Sequence, residues 1–254
     1  MYSFFIDVKY RNEPLFYFGI TCFLLSIVFL VLTQTTTTQI SGVNAWYKPF
    51  KFAFSIALYA ITMAWFVWYL PSFNTPLFNW SVIVLLGFEI VYIVIQAARG
   101  QLSHFNVSTP FYSVLYTLMA LAATGVSVYT AYIGMLFFKN SFPNLPVYYL
   151  WSIRIAIIIF VLFSLEGFVM GSRLSHTIGG KDGGTGLPLV NWSYKYGDPR
   201  IAHFIGMHAL QVLPLLSFYL LKNTKATFVA GALYGVLALF TLLQALNGKP
   251  FHKF

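Results

Sequence analysis

The sequence predicts an all-α, polytopic membrane protein, a single bundle of seven transmembrane helices, on three observations. Apolar residues make up 59% of the 254, aromatic residues 20% and charged residues only 8%, a balance that a soluble core could not bury without large exposed apolar patches. The apolar residues gather into seven runs of roughly the ~20 residues that a helix needs to cross the hydrocarbon core. The longest connection, 171–199, is too short for a separate soluble domain, so residues 1–254 read as one domain.

The first span, 15–33, follows a tail carrying Asp7, Lys9, Arg11 and Glu13. No small-residue cleavage site follows it, so it is expected to remain in the protein. Cys22, alone within it, reads as a packed small hydrophobe. The second span is 53–70. The third, 80–98, carries Glu89, Tyr92, Gln96 and Arg99 at offsets of three, seven and ten, which puts a polar stripe on one helical face. A short segment, QAARGQLSHFNVSTP, then holds His104 before the fourth span, 111–137. The fifth, 147–170, contains Arg154 and Glu166. Arg154 lies seven residues in from the side that Glu89 enters by nine, so the two are expected to form a buried ion pair, serving either helix docking or a proton or ion relay.

The connection 171–199 is rich in glycine, which allows either close backbone approach to a ligand or an exposed flexible tether. The sixth span, 201–221, opens with Asp198 and Pro199, a capping carboxylate followed by a first-turn proline. His203 and His208 follow, and Pro214 is expected to open the ladder at the carbonyl of Leu210. The seventh span is 226–246.

An odd number of spans puts the termini on opposite faces. The face with the carboxyl tail carries Lys48, Lys51, Arg99, Arg173, Lys181, Lys195, Arg200, Lys249 and Lys253; the other carries Lys9, Arg11, Lys139, Lys222 and Lys225. Excess Lys and Arg marks the cytoplasmic side, so the amino terminus is expected in the periplasm and the carboxyl terminus in the cytoplasm. The net charge of +9 is spread over short loops, which argues against nucleic acid and for a lipid bilayer as the partner.

All five histidines fall on the side of the carboxyl tail, with His252 in a solvated tail and His176 in the glycine-rich loop. Neutral imidazole is the commonest metal ligand, so His203, His208, His104 and Glu166 are candidate ligands of a metal ion, and the three histidines of a haem, in a redox or enzymatic role. The alternative is binding or permeation of a small anionic molecule by Arg99, Arg200, Gln96, Gln211 and Asp198. A third reading is a structural or assembly protein. No Walker A loop and no internal repeat are present. HFIGMH fits the HxxxxH box of membrane di-iron desaturases, but the further histidine boxes of those enzymes are missing.

Three blocks, QAARGQLSHFN, GGKDGGTGLPLVNWS and GDPRIAHFIGMHALQVLP, together resemble a family of uncharacterised bacterial integral membrane proteins. The resemblance covers the third through sixth spans and implies a bacterial inner-membrane protein; it implies no particular reaction.

Overall fold

The computed structural model describes residues 2–184 and 186–251. His252 and Lys253 lie outside them. The helices are α1 (Tyr2–Arg11), α2 (Glu13–Thr35), α3 (Tyr47–Val67), α4 (Thr75–Ala98), α5 (Pro110–Lys139), α6 (Val147–Leu165), α7 (Gly167–Arg173), α8 (Arg200–Met207), α9 (Ala209–Leu216) and α10 (Thr224–Leu246); a π-helical turn, Ser217–Leu221, extends α9. Among the described residues six stretches are long and apolar enough to cross a membrane, and the pair Arg200–Met207 and Ala209–Leu221, bent by 44°, makes a seventh if counted as one span. The all-α polytopic fold is therefore the one the sequence predicted.

Local chemistry sets the ends. Asn12, Asn74 and Asn223 each accept a hydrogen bond from the backbone N–H three residues on, at 3.2, 3.1 and 3.0 Å, and so cap α2, α4 and α10. The cap at Asn74, with Pro76 behind it, starts α4 five residues before the expected position 80. Helix α3 likewise begins at Tyr47 rather than 53 and runs on through Lys48, whose ammonium lies 5.9 Å from the Phe52 ring centroid, and Lys51, which donates to the Val190 carbonyl at 2.7 Å. Pro214 brings no N–H to the Leu210 carbonyl, as expected, but it does not mark the bend. Pro214 sits inside α9, and the bend of the sixth span falls at His208, six residues earlier.

The chain has two compact units, Met1–Val126 with Pro188–Asn191, and Ser127–Leu187 with Trp192–Phe254, parted within α5. In the first, α2 packs along α3, where Gly19 faces Ile61 and Ala57. Asn12 and Asn79 exchange side-chain hydrogen bonds of 2.8 and 2.9 Å, tying the start of α2 to α4 without an unsatisfied amide. Cys22 is buried, as expected of a packed small residue. Helix α1 was not anticipated. Val8 is buried in it, Phe4 stacks on Trp65, and the Arg11 guanidinium lies 3.5 Å from the Trp65 ring centroid. A two-stranded hairpin, β1 (Gln39–Ile40) with β2 (Val43–Asn44), turns at Ser41 and Gly42, both left-handed in φ.

In the second unit α6 is the axis, packed by α8, α9 and α10. Apolar side chains point outward in both units: Leu24 is 56%, Leu121 61% and Leu233 65% exposed, a surface that suits acyl chains and not water.

Candidate functional site

The site is built in the second unit from the loop upward. The glycine-rich connection is a folded hairpin and not a tether. Ile178 and Gly197 exchange both backbone hydrogen bonds, at 2.9 and 3.0 Å, and the Leu187 N–H donates to the Trp192 carbonyl at 2.9 Å. Asp198 ends the hairpin. Its buried carboxylate accepts from the backbone N–H of Ser193 at 2.8 Å and of Arg200 at 3.2 Å, and from the Arg200 Nε at 2.8 Å, with a second guanidinium bond alongside. One buried anion thus caps α8, holds the loop and neutralises Arg200.

His203 stands on the first turn of α8. Its Nδ1 is 2.7 Å from the carbonyl oxygen of Phe163, which lies in the last turn of α6, where carbonyls run out of helical N–H partners. A carbonyl only accepts, so Nδ1 carries the hydrogen and the lone pair of the neutral ring is on Nε2. Glu166, at the break between α6 and α7, brings Oε2 to 3.4 Å from the same Nδ1. Its side chain is only 4% exposed, and neither carboxylate oxygen has a hydrogen-bond partner. The 3.4 Å approach is therefore electrostatic, and the short bond goes to Phe163. Gly206 makes the reach possible: a Cβ there would come within 2.1 Å of the Phe163 side chain.

His208 ends α8 at the bend. Its Nδ1 lies 3.2 Å from Oε1 of Gln211, and its ring centroid is 4.3 Å from that of Phe204, which in turn meets Trp192 edge-on. Nε2 of neither His203 nor His208 has a hydrogen-bond partner among the described residues.

The sequence expectation is met for His203 with Glu166, which lie together. The larger ligand set is corrected: among the described residues no three His, Cys, Asp or Glu side chains converge as they must to hold a metal ion, so His203, His208, His104 and Glu166 do not make a four-ligand centre. Each Nδ1 is turned to a local acceptor instead. His104 belongs to the first unit, where its ring packs at 5.3 Å from Phe52 and 6.4 Å from Tyr116.

The residues expected to bind an anion each have protein contacts or exposure of their own. Arg200 and Asp198 are spent on each other, Gln96 donates to the Leu102 carbonyl at 2.9 Å, Gln211 faces His208, and Arg99 is an exposed residue closing α4. Arg154 takes a different partner from the expected Glu89. Its Nε and Nη2 donate to the Phe137 carbonyl at 3.0 and 2.8 Å, in the last turn of α5, and its guanidinium lies about 5 Å from the Phe138 and Trp151 rings. Helix α4 starts at Thr75, so Glu89 is fourteen residues into its helix while Arg154 is seven into its own.

Sequence reasoning missed Tyr234, whose hydroxyl donates to the Ile205 carbonyl at 2.6 Å just before the bend. Its only signal was a tyrosine in mid-span. Phe163 was missed altogether, because it acts through its backbone.

His176 is more than a loop residue: Asp182 accepts from its Nδ1 at 2.7 Å and its backbone N–H at 3.1 Å. Burial pushes the Asp182 carboxyl up, but the hydrogen bonds and charge of His176 outweigh it and hold the carboxyl well below the usual aspartate value. A depressed folded value means the contribution is complete above the ordinary aspartate pKa of about 4 and is lost as pH falls below it. Proteolysis of the loop is expected to stay slow from neutral pH down to about 5 and to accelerate below about 4, and Asp182→Asn to remove that dependence. An unchanged profile in the variant would show that the pair does not hold the loop.

No family model, no curated protein and no solved structure matches the chain.

Proposed function

We propose that the chain is an integral inner-membrane protein with a redox role, and that His203 holds a haem iron through Nε2. The observation that carries the reading is the anchoring of His203 by its Nδ1, to the Phe163 carbonyl at 2.7 Å and beside the Glu166 carboxylate at 3.4 Å. Imidazoles that bind metals commonly donate their other N–H in this way, which fixes the tautomer and raises the basicity of the ligating nitrogen. Between a bare metal ion and haem, the donor count favours haem. Among the described residues no three protein donors converge, whereas a porphyrin would bring four nitrogens of its own and would ask the chain only for an imidazole, which His203 would supply.

Bound haem would supply one-electron chemistry. The chain's own part is to orient and tune: Phe163 fixes the ring of His203, and Glu166 adds negative charge beside it. The protein purified from membranes is expected to show a Soret band that His203→Ala abolishes. Glu166→Gln is expected to keep the band and raise the reduction potential, because a carboxylate beside Nδ1–H stabilises the oxidised iron. A colourless wild-type protein would end the haem reading.

The chain's orientation, with the amino terminus in the periplasm, rests on the Lys and Arg asymmetry. A carboxyl-terminal alkaline phosphatase fusion is expected to be inactive; activity would reverse the assignment. Membership in the bacterial membrane-protein family rests on the three sequence blocks.

A further inference from the structure

We propose that the first unit binds a lipophilic quinone or quinol ring, through the carboxyl group of Glu89 and the hydroxyl of Tyr92. Both residues stand on one face of α4, three apart, and each is more than nine-tenths buried at 5% and 6% exposure. The Tyr92 hydroxyl is sealed from solvent with no hydrogen-bond partner, and Glu89 makes no hydrogen bond or ion pair among the described residues. Lys48 of α3 acts on Glu89 only through longer-range electrostatics. A buried hydroxyl left without a partner costs about 1–3 kcal/mol, and a buried carboxyl costs more. Two such groups side by side are a standing cost of the ligand-free protein, which a ligand with complementary groups removes.

The surroundings define that ligand. Tyr92 lies parallel to Phe88, with ring centroids 6.4 Å apart, and Phe52, Leu115 and Met119 pack on the same cluster. This is an apolar, ring-rich setting for a flat ring. Tyr92 and Glu89 are six and nine residues inside the end of α4 at Ala98, roughly 9 to 14 Å along the axis, so the ligand partitions into the membrane. A quinone carbonyl accepts from the tyrosine hydroxyl, and a quinol hydroxyl donates to a carboxyl oxygen of Glu89. One molecular class therefore answers both groups, whereas a zwitterion or sugar would leave charges or hydroxyls against phenylalanine.

The test uses menadione, a quinone without a long tail, and thermal unfolding of the full-length protein in detergent. Menadione is expected to raise the Tm of the wild type. Tyr92→Phe, which removes only the hydroxyl, is expected to leave the Tm of the ligand-free protein unchanged or higher and to weaken menadione binding about tenfold, the loss of one hydrogen bond. Glu89→Gln is expected to weaken the quinol form more than the quinone. A lower Tm for ligand-free Tyr92→Phe would mean that the hydroxyl already has a partner and would overturn the proposal. So would a wild type indifferent to menadione, or equal binding by all three proteins. These readings do not depend on haem, so the two proposals fail separately.

Discussion

Replacement of Asp198 by alanine is expected to cost about 3 kcal/mol or more, the low end of what removing one partner of a buried ion pair costs. The low end applies because the Arg200 side chain keeps 21% of its exposure while that of Asp198 has none. The loss is larger than one salt bridge, since the same carboxylate serves the Ser193 and Arg200 backbone amides. Asp198→Asn should recover little: an amide turns an N–H toward donors that need an acceptor. Asp198→Asn combined with Arg200→Met is expected to be more stable than the sum of the single changes, because no guanidinium is then stranded. Unfolding in detergent measures all of these. Simple additivity would show that the clip contributes nothing as a unit. His203 stands one turn beyond Arg200, so its anchoring to Phe163 should be lost along with the clip.

Gly197→Ala is expected to cost about 3 kcal/mol, at the upper end of overpacking. An alanine Cβ would sit 2.0 Å from the Ala245 carbonyl oxygen and under 3 Å from the Ala245 carbonyl carbon and Cα, all backbone of α10, which cannot turn aside as a side chain can. Relief requires moving the loop, and with it the paired bonds to Ile178. Faster proteolysis of 174–199 should accompany the lower Tm. Gly87→Ala is the control: nothing lies within 4 Å of the added methyl group, so a helical position should gain up to about 1 kcal/mol. Equal effects at the two positions would mean that the contact with Ala245 does not constrain the loop.

Much of the fold could be read from the chain because its determinants are local. Asn12, Asn74 and Asn223 cap the helices they precede, and Asp198 with Pro199 marks the start of α8. Apolar runs of membrane-crossing length need no partner to declare themselves, since in lipid the backbone must satisfy itself within each helix. Helix α1 escaped detection because part of what holds it, Trp65 against Phe4 and Arg11, lies more than fifty residues away. The site was legible only in part. That His203 and Glu166 would meet followed from the cost of ionisable groups inside spans, which drives them toward the protein interior.

What the sequence determined by itself is the set of helices, their capped ends and the short list of polar side chains that must find partners away from lipid. Only the tertiary structure decided which partners those were. Arg154, His203 and Tyr234 each went to a backbone carbonyl in the last turn of a helix, Phe137, Phe163 and Ile205, rather than to a carboxylate. The physical reason is that helix ends and breaks leave carbonyls without N–H donors, and in a medium without water these are the acceptors most in need of one. Every residue type carries such a carbonyl, so no sequence pattern marks it; where α6 breaks and α8 bends depends on packing such as Gly206 against Phe163.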